Sequence, residues 1–239
     1  MTVILVLLTF VAFILLDWLL EEKPAATTVP EAAIVHAKAA PAMDSVEGFH
    51  TPLHVRYHPG HTWVLRERKN FARVGMDEFA AALSGQIEKI ELPRAGQWIR
   101  QGQRVIGVTR KGERVELVSP TEGEVVEVNE EVLATPAILR QQPYEKGWLF
   151  AVHVPDEEST ARNLVPMNLV KAWMSDAVHN LFALQPAVAG AVAADGARPA
   201  EDLLAQMPEV PWQSTAATFF LTQAPAKPES GGMARELHS

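Results

Sequence analysis

A mostly β domain with short helices, preceded by an apolar N-terminal helix and followed by an amphipathic one, is the fold class this sequence predicts. Three observations carry it. Short Val-rich runs separated by turn residues fill residues 54–155. Residues 2–16 hold no charged side chain. After residue 157 the apolar spacing changes to 3, 4 and 7.

The apolar N-terminus reads TVILVLLTFVAFILL, then Asp17 and Trp18-Leu19-Leu20. At about 1.5 Å per residue, residues 2–20 match the roughly 30 Å hydrocarbon thickness of a bilayer. Trp18 suits the interface. The expectation is a single-span anchor at 1–20. A cleaved signal peptide would show a basic segment ahead of the apolar run, and none precedes it. Lys23, Lys38 and Arg56 follow the span, which places the remainder of the chain on the cytoplasmic side. Residues 21–53, dominated by Ala, Pro and Thr in their first half, read as a linker.

Within 54–155 the elements follow in order. TWVLRE and FARVGM are strands joined across Arg68-Lys69-Asn70. Asp77 to Leu83 is a short helix, with acids in its first turn and Gly85 beyond its end. Residues 86–92 form a strand, and turns at Gly96 and Gly102 follow. Residues 104–109 and 114–119 form a hairpin whose tip is Arg110-Lys111-Gly112-Glu113. Pro120 to Gly123 turns the chain into the strand 124–128. Thr135-Pro136 opens a helix, Thr at the N-cap and Pro at N1, and 148–152 is a last strand.

The helical extension, 156–184, carries Met167, Val170, Trp173, Met174, Ala177, Val178, Leu181 and Phe182 on one stripe. Such a stripe is buried against its own domain, a membrane surface or a partner. The stretch lacks the Lys- and Arg-rich polar face of a membrane-surface helix. Residues 185–239 read as a mostly irregular tail with one apolar island, Thr218-Phe219-Phe220-Leu221, placed to dock on something.

Composition excludes several functions. The net charge of -8 argues against nucleic-acid binding, and the absence of cysteine removes disulfides, thiolate metal sites and thiol nucleophiles. No nucleophile triad, phosphate loop or dinucleotide fingerprint occurs, so no enzymatic activity is expected. His50, His54, His58 and His61 are closely spaced, but Pro52, Pro59 and Gly60 prevent the helix that would align them, and no metal site is expected. Glu113, Glu116, Glu122, Glu124 and Glu127 read as the solvated face of strands. Lys111-Gly112 fits a two-residue turn, with Gly supplying positive φ.

Several stretches resemble the glycine cleavage system H proteins. Tyr57, His61 and Trp63 in YHPGHTWV are similar to that family's Y-x-x-x-H-x-W-V opening. VGMDEFA resembles its V-G-I-T-D-Y-A segment, and IELP with Gly96 and Gly102 its V-x-L-P-x-x-G segment. Pro120, Gly123 and Asn129 in SPTEGEVVEVN match A-P-x-x-G-x-V-x-x-V-N, and Gly147-Trp148 sits in PYEKGWLF, similar to P-Y-x-x-G-W-L-F. The resemblance implies a lipoyl/biotinyl-type hammerhead barrel, with a hairpin-tip lysine amide-linked to lipoic acid that shuttles an aminomethyl group between partner enzymes.

The tip departs from that pattern. Counted from Gly102 or from Pro120, the family's lysine position falls on Gly112, and Lys111 is one residue early. The family's E-S-V-K-A is replaced by a basic stretch ending in Arg114. The expectation is therefore an unmodified Lys111, no cofactor, and a structural or adaptor role in a membrane-associated complex. Other subunits would be contacted through Arg110, Lys111 and Arg114 at the tip and through Trp173 and Phe182 on the C-terminal helix. The alternative is a lipoyl carrier modified at Lys111 and serving glycine cleavage enzymes.

Overall fold

The computed structural model describes residues 43–184 and 202–223. The span expected at 2–20, most of the expected linker, and the tail at 185–201 and 224–239 lie outside the described residues. No helix among the described residues is long and apolar enough to cross a membrane.

The chain forms strands β1 (Met43–Val46), β2 (Phe49–Pro52), β3 (Arg56–His58), β4 (Thr62–Arg68) and β5 (Phe71–Met76), then helix α1 (Glu78–Ser84). Strands β6 (Lys89–Glu91), β7 (Trp98–Ile99), β8 (Arg104–Arg110), β9 (Glu113–Val118) and β10 (Gly123–Val128) follow. Helices α2 (Glu130–Ala134) and α3 (Ile138–Gln141) lead to strand β11 (Trp148–His153), and helices α4 (Glu157–Ala161), α5 (Val170–Ala183) and α6 (Trp212–Phe219) come last. A six-stranded sheet in the order β3-β4-β5-β11-β10-β7 faces a three-stranded one, β6-β8-β9, across one apolar core. Strands of both sheets supply that core: Val74 and Met76 from β5, Phe150 and Val152 from β11, and Ile106, Val108 and Leu117 from the hairpin are all buried. This is a mostly β, half-barrel hammerhead with a few helices, as the sequence implies.

Three elements differ from expectation. Residues 43–52, assigned to the linker, form the β1–β2 hairpin in the register Val46↔Phe49, turning on Glu47 and Gly48 at φ 49° and 85°. Two positive φ values give the turn the twist a hairpin needs. Phe49 is buried edge-on against Phe79 at 5.5 Å, which anchors the hairpin. Thr135 both closes one helix and leads into the next: α2, capped by Asn129 whose side chain accepts from Glu131 N, ends where Thr135 N donates to Glu131 O, and Thr135 O accepts from Ile138 N at the start of α3. Pro136 disfavours helical backbone in the residue before it, so Thr135 leaves the helix and a new turn starts beyond. Finally, the tail contributes ordered structure. A 3-10 turn at Leu203–Gln206 and helix α6 pack on the core, with Phe220 fully buried and Trp212 nearly so.

The apolar stripe of α5 covers its own domain. Val170, Met174, Ala177, Val178 and Leu181 are buried, the full burial of each of the larger four contributing about 1.5–3 kcal/mol. Trp173 and Phe182, expected to meet a partner, are half-buried against the core.

Trp63 and Gly75 face each other across β4 and β5. The indole lies over the glycine and donates from Nε1 to Met76 O at 2.8 Å. A Cβ at Gly75 would stand 2.2 Å from the ring. Gly75→Ala is therefore expected to destabilise the fold by about 1–3 kcal/mol, read as a lower urea midpoint at unchanged slope.

Candidate functional site

The tip of the β8–β9 hairpin is the candidate site. Its last pair is Arg110↔Glu113, so Lys111 and Gly112 are the only residues outside the ladder. Both have positive φ, 49° and 77°, which defines a type I′ turn. Glycine adopts this freely, whereas the left-handed backbone at Lys111 costs about 1 kcal/mol. Gly112 N donates to Glu88 Oε2 at 3.3 Å, steadying the turn from β6's side. Lys111 is exposed at the apex. In a strand, a one-residue offset would send a side chain to the opposite face. Here positions 111 and 112 are the two central residues of one turn, and either would present its side chain at the tip.

The expected basic patch does not form. Arg110 is 5% exposed and turns inward. Its guanidinium donates to Asp202 Oδ2 at 2.7 Å and to Leu83 O at 3.4 Å, and lies 5.8 Å from the Trp212 ring centre. Arg114 is bound by Glu91 at 2.9 Å and Glu116 at 3.1 Å. The Glu91 carboxyl is held below its usual range by hydrogen bonds from Lys89 and then Arg114. The cause of the correction is local neutralisation: two of the three tip cations face carboxylates, one of them contributed from 92 residues away.

The segment 202–223 straps this hairpin. Gln213 Nε2 donates to Arg114 O, Thr222 Oγ1 to Glu116 O, and Arg104 to Gln223 O. Trp212 Nε1 donates to Leu83 O at 3.0 Å. Sequence reasoning found the apolar island at 218–221 but missed Asp202 and Trp212. No spacing signal links either to the hairpin; only the fold brings them there.

The motif residues at Tyr57, His61, Trp63, Asn129, Gly147 and Trp148 build the scaffold below the tip. His61 is 2% exposed, with Nδ1 at 2.8 Å from Asp77 Oδ2. Its ring lies between Phe79, at 4.4 Å, and Trp173, at 4.7 Å. Trp173 also meets Tyr57 at 5.8 Å, which explains its burial. Asn129 caps α2 and donates to Lys146 O and Trp148 O, holding the turn that contains Gly147. Burial raises the phenol pKa values of Tyr57 and Tyr144; Tyr57 donates to Pro52 O and Tyr144 to His50 O. Gly96, Gly102 and Gly123 take turn or close-approach backbone, and Pro120 is buried. Of the clustered histidines, His50 meets Glu78 and His61 meets Asp77, while His58 Nδ1 accepts from Gly60 N. No group of three ligating side chains occurs among the described residues.

Two facing sheets, one carrying a hairpin with a lysine at its apex, are the architecture that the family resemblance implies. The family model "Glycine cleavage H-protein" matches residues 55–177, beyond the expected border at 155 and into α5. Glycine cleavage system H proteins from Kocuria rhizophila, Bacillus licheniformis and Streptomyces coelicolor are 35%, 36% and 33% identical to it. These matches cover 47%, 48% and 44% of this chain and 89%, 89% and 85% of those proteins. A crystal structure of a glycine cleavage system H protein from Mycobacterium marinum is 26% identical over 44% of this chain and 87% of that one, with a TM-score of 0.41. The chain belongs to the glycine cleavage H-protein family.

Two outcomes follow from this geometry. Asp202→Ala leaves a buried guanidinium without its carboxylate; it is expected to cost roughly 1.5–3 kcal/mol and to speed amide hydrogen exchange across 203–222. Burial first, and the neighbouring His61 second, lower the His58 pKa from 6.5 to about 4. The folded state therefore binds this proton less readily than the unfolded one, and stability falls as pH drops from about 6.5 to about 4. His58→Asn keeps an acceptor for Gly60 N without titrating, and should flatten that part of the urea-midpoint profile.

Proposed function

We propose that this protein is a membrane-anchored H-like domain that works as a structural or adaptor subunit of a membrane-associated complex, with Lys111 unmodified and no catalytic centre of its own. The observation that carries the reading is the strap: the hairpin that would bear a swinging arm is clasped along β9 by this chain's own residues 202–223. An attaching enzyme or a partner enzyme approaching the tip from that flank meets Asp202, Trp212 and Gln213 instead of open strand. The tip also lacks the family's register and its acidic and aliphatic neighbours, so lipoate is not assigned to this chain. The apolar run at 2–16 and Trp18 support anchoring, and Lys23, Lys38 and Arg56 support a cytoplasmic domain.

A second reading is favoured by one feature. Lys111 is exposed at the apex of a two-residue turn, where an amine is accessible for acylation. Under it the protein is a lipoyl carrier serving glycine cleavage enzymes.

The intact mass of the protein from its native membrane, with a tryptic map of the 104–114 region, separates the two. The adaptor predicts an unmodified Lys111, and Lys111→Arg with full activity of the host complex. A lipoyl group on Lys111, with activity lost in Lys111→Arg while the complex stays assembled, would overturn it.

A further inference from the structure

Helix α5 on one side and residues 209–223 on the other line an open groove of about 780 Å³. The buried His61 lines its bottom, beside half-buried Trp173 and Phe219. Leu184 and Leu221, 52% and 55% exposed, line it as well. Two exposed acids, Asp176 of α5 and Glu209 ahead of α6, come from its two sides. Among the described residues that line it, none is Lys or Arg.

The charged groups that line the groove, Asp176 and Glu209, are both acceptors, beside hydroxyl and amide side chains that can donate or accept. Asp77 Oδ1 already accepts from Ala80 N, and Oδ2 takes the His61 Nδ1 proton. With its ring packed by Phe79 and Trp173 and its Nδ1 held by Asp77, His61 contributes only its remaining edge to the groove lining. Leu221 adds a second signal. It has φ 57° and follows α6 in a helix-ending turn closed by Thr222 N donating to Ala217 O at 2.8 Å. Glycine is the ordinary residue at that position. A leucine there takes both the strained backbone and an exposed apolar side chain, and that side chain lines the groove.

We infer that this groove binds a partner protein's segment in which a Lys or Arg is flanked by aliphatic side chains. The carboxylates receive the cation, and Trp173, Leu184, Phe219 and Leu221 receive its apolar neighbours. The inference rests on the adaptor reading and supplies its partner chemistry.

The probe is a fluorescent hexapeptide alternating leucine and lysine with a photo-cross-linking residue at its centre, compared with its glutamine and glutamate counterparts. It is added to the full-length chain in uncharged detergent. The lysine peptide should bind best and cross-link to residues within 173–184 or 209–221. The double variant Asp176→Asn/Glu209→Gln should weaken it about tenfold, with the circular dichroism spectrum unchanged. Glu122→Gln/Glu124→Gln removes the same charge elsewhere on the surface and should leave binding intact. Equal binding of the three peptides, cross-links elsewhere, or equal effects of the two double variants would overturn the inference. So would a dimer in sedimentation that Asp176→Asn/Glu209→Gln abolishes, because the groove would then hold a second copy. The mass of Lys111 judges the adaptor reading separately.

Discussion

The fold turns on one buried carboxylate. Asp77 is fully buried, and its two oxygens do different work: Oδ1 caps α1 at Ala80 N, and Oδ2 holds the His61 ring. Its backbone N–H donates to His61 O, so the end of β5 and the β3–β4 turn are tied twice. His61 takes a left-handed backbone to make this contact, a conformation a non-glycine residue holds only where its surroundings over-determine it. Phe79, Trp173 and Phe219 then pack around the ring, and these belong to α1, α5 and α6. One hydrogen-bonded pair thereby sets where three helices meet the sheet. Without its partner, either member would be a buried polar group in an apolar setting, which is strongly unfavourable.

The hairpin shows how local rules and distant contacts divide the outcome. The glycine of the Lys-Gly dipeptide between alternating strands suits the positive φ of a two-residue turn. The electrostatic character of that turn is not local. Arg110 reads as a surface cation in sequence, yet Asp202 and Trp212 draw it inward and leave Lys111 as the exposed charge between the paired arginines. The family's fold is therefore kept, while residues 202–223, outside the stretch that the family model matches, cover the hairpin's flank.

Much of this was legible early. Alternation over TWVLRE and FARVGM gave β4 and β5 because one face is buried and register cannot slip. The helix at Asp77 followed from acids in its first turn and Gly85 beyond its end, and the structure makes Asp77 its cap. Two elements escaped for physical reasons. The β1–β2 hairpin follows an Ala-rich stretch, has no long apolar run, and is held by Phe49 together with hydrogen bonds at His50 and Pro52; Glu47-Gly48 was its one local signal. Strand β7 is two residues long and exists only through its pairing with β10.

By itself, the sequence determined the β-rich barrel, its turns, the stripe on α5 and the family, because hydrophobic period, turn dipeptides and motif spacing are local quantities. Tertiary structure alone decided that α5 covers its own domain, that the tail returns to clasp the hairpin, and that Arg110 is not a surface charge. Each of these depends on contacts between residues far apart in the chain, such as Arg110 with Asp202 and His61 with Trp173. No window of sequence contains both partners of such a contact; only the folded chain does.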